Sequence, residues 1–233
     1  LDGLDVTDQA GVTASSAVFT PAADLSQGYH LAEARIADLA GNVSTASARF
    51  FNDSLAPETA LSIGAPKFIS TAVYIATTTP FAFTASETAQ TFYAVDSASF
   101  TSYAAPFTLA EEGLRLIRFY SVDPAGNVEI IRTSTAIVDT THPATSVALS
   151  SEIFVSTDGI HFIAPGSSVA FSAADPPAGG AAGSGVNRIE VSLDDGAFVV
   201  YSSSLSFVEG RHKLVFSAID NLGNREPART LNI

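Results

Sequence analysis

The sequence contains no cysteine, no methionine and no tryptophan. Without cysteine there is no disulfide framework, no thiolate zinc site and no cysteine nucleophile. Without methionine, Leu1 is not a translation start, so the chain is expected to be a processed product or an excised segment. Positive charge is scarce: 11 Lys and Arg stand against 24 Asp and Glu, for a net charge of -13. Phosphate affinity comes from clustered cations, so this balance speaks against nucleic acid as a partner and against an anionic membrane surface. No run of ~18 apolar residues occurs, so no helical membrane insertion is expected. No signal peptide is visible, and none is expected in an internal segment.

What is present suffices for packed cores. Hydrophobic residues make up 46% of the 233 positions and charged residues 15%, outside the range of disordered tails. That length corresponds to about two ordinary domains, or about three small sandwiches. An acidic surface favours solubility, and it is also the kind of surface that could hold calcium.

One pattern occurs three times. Residues 28–53, 113–139 and 210–233 each open on Gly, run through a strand-like segment, reach Asp-x-x-Gly-Asn and continue into a second strand. The turn aspartates Asp38, Asp123 and Asp220 stand 85 and 97 residues apart. That period suits one sandwich of ~100 residues and is too long for a solenoid repeat. In the third copy Lys213, Val215, Ser217 and Ile219 alternate with His212, Leu214, Phe216 and Ala218, a period of two. Asp accepts backbone N–H groups two or three residues on, while Gly and Asn tolerate positive φ, so the motif reads as a hairpin turn. A second block extends the match upstream: Asp96, Phe100, Tyr103 and Gly113 align with Asp194, Phe198, Tyr201 and Gly210. Residues 54–64 and 140–151, marked by Pro57 and Pro143, read as short stiff connections between units.

These residues predict an all-β chain of three units: 1–53, 54–139 and 140–233. The strand-Asp-x-x-Gly-Asn-strand signature, the VDTTHPATSVAL junction and the block SLDDGAFVVYSSSLSFVEGRHKLVFSAIDNLGNRE resemble the bacterial immunoglobulin-like repeats of large surface proteins and adhesins. The third block is especially similar to repeats of outer-membrane-associated proteins and to those beside some secreted glycosidases. The resemblance covers nearly the whole chain. It implies tandem immunoglobulin-like antiparallel β-sandwiches, extracellular or cell-surface placement, and use as stalks, spacers or adhesive modules without catalytic residues. It further implies that residues 1–53 hold only the later strands of a sandwich, leaving an open sheet edge through which a second chain could add; the alternative is that they fold by themselves as a reduced sandwich.

A search for chemistry yields no catalytic residue. His30 and His212 follow the strand-opening glycines Gly28 and Gly210 at equivalent positions, which points to a structural role; His142 and His161 stand alone. No zinc-protease, nucleophile-elbow or phosphate-loop motif occurs. The Gly-rich segment 176–185 reads as a flexible loop between strands. Glu111-Glu112 and Asp194-Asp195 are neighbours that point to different sides, so they read as solvated turns. Calcium is the most plausible ligand, through Asp123, Asn127 and Asp139, or Asp38, Asn42 and Asp53, although the turn role already explains the aspartates. Phe81, Phe83, Phe171 and Phe216 read as core, and Tyr103 and Tyr201 as structural. The expectation is a non-catalytic structural or adhesive stalk segment meeting protein or glycan at a cell surface, able to build a fibre. The alternative is an accessory glycan-binding or spacer module of a secreted polysaccharide-degrading enzyme.

Overall fold

The computed structural model describes residues 1–13 and 15–233. The fold is all-β: the described residues form no α-helix, and a single 3-10 turn occupies Thr7–Gln9. Antiparallel pairing predominates, with Val73–Ile75 lying parallel to Arg132–Val138. By density of contacts the chain divides into two compact units. One comprises Leu1–Thr59, Ala85–Thr91 and Tyr120–Ile130; the other comprises Ala60–Thr84, Phe92–Phe119 and Ile131–Ile233.

In the first unit, the strand Gly28–Ala37 pairs with Val43–Asn52 in unbroken register from Gly28↔Asn52 to Ala37↔Val43. Of the residues in these two strands only His30 is buried. Tyr29, Ile36 and Phe51 remain 65%, 67% and 51% exposed, so neither face of this hairpin is covered. The other buried residues of the unit are Pro57, Thr59, Thr91, Ser121, Asp123 and Glu129, all but the proline polar.

The second unit holds two large apolar cores. The first lies against a six-stranded sheet in the order Thr101–Ser102, Gln90–Val95, Gly113–Val122, Arg132–Val138, Val73–Ile75, Lys67–Ile69. Ile75, Ile117, Phe119 and Val138 from this sheet meet Phe81 and Phe83 from the strand Phe81–Ala85, with Leu61 and Ile63 packed alongside. The second core joins a four-stranded sheet (Val199–Val200, Val186–Leu193, Lys213–Asp220, Arg229–Asn232) to a three-stranded one (Ala144–Leu149, Ser168–Ala174, Leu205–Ser206). Val191, Leu214, Phe216 and Leu231 from the former contact Val169 and Phe171 from the latter. Strands that send alternate residues inward from two facing sheets make a sandwich-like layer. Each fully buried side chain of this size contributes roughly 1.5–3 kcal/mol.

Two expectations are corrected. The connections at 54–64 and 140–151 are shorter than read, because strands Thr59–Ile63 and Ala144–Leu149 start within them. Their alternation is real: Thr59 and Thr145 are buried, while Ala60 and Ser146 are exposed. Pro57 and Pro143 are themselves buried just ahead of these strands, where a residue without N–H costs no ladder bond. The Gly-rich segment 176–185 does lie between strands, but it is packed rather than loose. Ala178 is fully buried and exchanges backbone hydrogen bonds with Ala181. A Cβ on Gly179 would stand 2.6 Å from the Glu112 carbonyl, so only glycine fits that approach.

Candidate functional site

The turn aspartates act as the sequence suggests. Asp38 Oδ1 accepts the N–H groups of Ala40 and Asn42 at 2.9 and 2.8 Å, and its Oδ2 accepts Asn42 Nδ2 at 2.7 Å. Asp123 and Asp220 accept the same amide pair from Asn127 and Asn224. Gly41, Gly126 and Gly223 sit at φ of 88°, 94° and 93°, which L-residues with side chains rarely adopt. The Asn42 side chain, followed by backbone donors, holds Asp38 below the usual carboxylate pKa. Burial pushes Asp123 up, but the Asn127 side chain and the turn's N–H groups outweigh it, for a net lowering. The asparagines also reach outside their turns. Asn127 Nδ2 donates to the carbonyl of Asp53 at 3.0 Å, and Asn224 Nδ2 to that of Asp139 at 3.1 Å.

A second set of aspartates sits at positive φ: Asp2, Asp96 and Asp194, at 50°, 54° and 50°. Each accepts a backbone N–H from the strand ahead, from Leu31, Leu116 and Lys213 respectively. Each also accepts a cation two residues beyond the strand-opening glycine. His30 Nδ1 donates to Asp2 at 2.7 Å and His212 Nδ1 to Asp194 at 2.8 Å, while Arg115 Nη1 donates to Asp96 at 3.0 Å. The other imidazole nitrogens face carbonyls, those of Ser26 at 2.8 Å and Val208 at 3.1 Å. Only the doubly protonated ring satisfies two acceptors. The carboxylate bond, followed by the carbonyl, raises the pKa of both histidines. This geometry gives His30 and His212 the structural position expected of them. His142 Nδ1 lies 2.9 Å from the Pro143 carbonyl, and His161 is half-buried on the strand His161–Ile163.

Several residues that sequence reasoning passed over lie at the same positions. Glu129 and Glu226 are buried, each six residues beyond its turn aspartate. Glu129 accepts Thr59 N and Ser121 N, and Glu226 accepts Thr145 N and Ala218 N; the hydroxyls of Thr59 and Thr145 bond the same carboxylates. A signal was present at each position, since Glu129 and Glu226 both follow an Asp-x-x-Gly-Asn turn closely, at the same offset. Glu112 is not a solvated turn residue: it accepts Thr140 N at 3.0 Å and the Thr141 hydroxyl at 2.6 Å, which lowers its pKa chiefly through Thr141. Tyr103 and Tyr201 stand edge-on to Phe83 and Phe171, with centroids 5.1 and 5.2 Å apart, and the Tyr201 hydroxyl accepts Phe171 N.

Among the described residues, two groups of three carboxylates converge to within 4.8 Å: Asp53, Glu87 and Asp123 in the first unit, and Asp139, Asp175 and Asp220 in the second. Of the calcium candidates expected from the sequence, Asp53 and Asp123 fall together, but Asp123 and Asp139 are in different groups. Asp139 is joined instead by the turn aspartate Asp220. Glu87 and Asp175 had no sequence motif to mark them; each follows a core strand by the same offset from Phe83 and Phe171. A separate surface hollow of about 560 Å³ is lined by Asp158, Asp194, Arg211, His212, Lys213 and Asn232 among others, with no Tyr or Phe. Compared with known proteins, the chain matches no family model and no curated protein.

Proposed function

We propose that this chain is a non-catalytic structural or adhesive stalk segment of a bacterial surface or secreted protein, built of tandem immunoglobulin-like sandwiches. The observation that carries the reading is the recurrence of one joint. The turn asparagines Asn127 and Asn224 donate to the carbonyls of Asp53 and Asp139, the aspartates that end the preceding sequence repeat. A stalk needs joints of fixed chemistry more than it needs an active site. The exposed hairpin Gly28–Asn52 supports reading residues 1–53 as part of a sandwich rather than a whole one. Pairing of a second copy along that hairpin, with a solution mass that rises with concentration, is the self-association this reading allows.

A second reading, an accessory glycan-binding module, rests on the polar hollow around His212 and Asp194. The absence of Tyr and Phe from its lining weighs against sugar stacking. A pull-down of the chain on a panel of insoluble and immobilised polysaccharides separates the two. The stalk reading predicts no retention that depends on the hollow around His212. Retention abolished by Arg211→Ala and competed by free oligosaccharide would replace it with the accessory module.

A further inference from the structure

We infer that Asp139, Asp175 and Asp220, with Ser184, form a binding site for one divalent cation that prefers oxygen ligands, best matched by calcium. The three carboxylates come from separate stretches of the second unit. Asp139 follows the strand Arg132–Val138, Asp175 follows Ser168–Ala174, and Asp220 ends Lys213–Asp220. Asp139 and Asp220 are 0% and 2% exposed, and one oxygen of each of the three lies within 4.8 Å of the others. None of the three forms an ion pair with Lys, Arg or His among the described residues. Converging carboxylates with little access to water repel one another, and a divalent cation between them relieves that repulsion.

The surroundings favour the ion. N–H donors serve every carboxylate oxygen but one: Thr141 N and Ser184 N reach Asp139 Oδ1 and Oδ2 at 3.1 and 2.6 Å, Gly185 N reaches Asp175 Oδ2 at 2.7 Å, Leu222 N and Asn224 N both reach Asp220 Oδ1 at 2.8 Å, and Asn224 Nδ2 reaches Asp220 Oδ2 at 2.6 Å. Two buried oxygens are left over, with no hydrogen-bond partner: Asp175 Oδ1 and the Ser184 hydroxyl. Ser184 is 4% exposed and directly precedes Gly185, whose N–H holds Asp175 Oδ2. A buried hydroxyl and a buried carboxylate oxygen that stay unbonded, beside two more buried carboxylates, are an incomplete oxygen shell. Calcium takes six to eight oxygens, from carboxylates that bind singly or doubly and from neutral oxygens. The loop is shaped around this point. A Cβ on residue 183 would stand 2.6 Å from Asp175 Oδ2, so glycine there lets the chain close over the carboxylate. The companion group Asp53, Glu87 and Asp123 does not carry the same inference: Glu87 is exposed, and among the described residues no buried unpartnered oxygen accompanies it.

The test uses the full chain stripped with chelator and titrated calorimetrically with CaCl₂, and separately with MgCl₂, at pH 7. The site predicts saturable calcium binding near one equivalent, weaker binding of magnesium, and a melting temperature that rises with calcium concentration as mass action requires. Asp175→Asn should weaken calcium binding at least tenfold while leaving the chelated chain as stable as wild type or more so, because it relieves repulsion. Ser184→Ala should weaken binding several-fold without loss of stability in chelator, since its hydroxyl makes no other bond. Equal melting in calcium and in chelator overturns the site. So does calcium binding that survives Asp175→Asn undiminished, or an Asp175 carboxyl that remains protonated in excess calcium by its ¹³C shift.

Discussion

His30 and His212 differ from Arg115 in one respect that can be measured: an imidazolium can give up its proton as pH rises, whereas a guanidinium stays charged. All three hold the aspartate of the turn that precedes their strand. The folded-state pKa values of His30 and His212 are raised, so the stability they contribute is full below the unfolded value of about 6.5 and is lost as pH rises through the folded value. Asp2 and Asp194 are lowered, chiefly by His30 for Asp2 and by the Lys213 N–H for Asp194. Their contribution is present above the unfolded value and fades as pH falls through the depressed one. Each pair is therefore at full strength between the unfolded aspartate value of about 3.9 and the unfolded histidine value of about 6.5. Asp194→Asn should return the His212 pKa toward 6.5 in an NMR titration and leave His30 unchanged; an unmoved His212 would show that Asp194 does not hold it. Burial pushes Glu226 up, but Thr145 and the backbone donors outweigh it and it stays ionised. Glu226→Ala strands Thr145 N, the Thr145 hydroxyl and Ala218 N in the interior, and should cost about 2–4 kcal/mol in urea unfolding.

At the scale of elements, the hairpins were legible because their signals are local: Asp-x-x-Gly-Asn fixes the turn, and the flanking period of two fixes the strands. The strands Thr59–Ile63 and Ala144–Leu149 were not, since proline and polar neighbours gave short segments the look of connections. The Asp139, Asp175 and Asp220 group was half legible. Two members belong to the repeated hairpin blocks, whereas Asp175 stands at the head of a Gly- and Pro-rich stretch and meets them only through the fold. That stretch has a mechanical requirement of its own. Gly113 has φ of 105°, and a Cβ there would lie 2.9 Å from the Gly179 carbonyl. Gly113→Ala should destabilise the chain by about 1–3 kcal/mol, through both backbone strain and contact, with a reduced denaturation midpoint at an unchanged slope.

For the whole molecule, protection should be uneven. The hairpin Gly28–Asn52 has exposed faces, whereas Gly113–Val122 and Lys213–Asp220 are central strands that line apolar cores. Amide exchange should accordingly be fastest in the hairpin and slowest in those two strands. The two large cores share no residue, Ile75 to Val138 in one and Val169 to Ile233 in the other, and the proposed stalk predicts that they yield one at a time. Pulling single chains by their ends tests this most directly. The account predicts two separate cooperative unfolding events, each releasing roughly 29–32 nm of contour, as expected for roughly 80–90 residues at ~3.6 Å each. A single event that releases both cores together would contradict it.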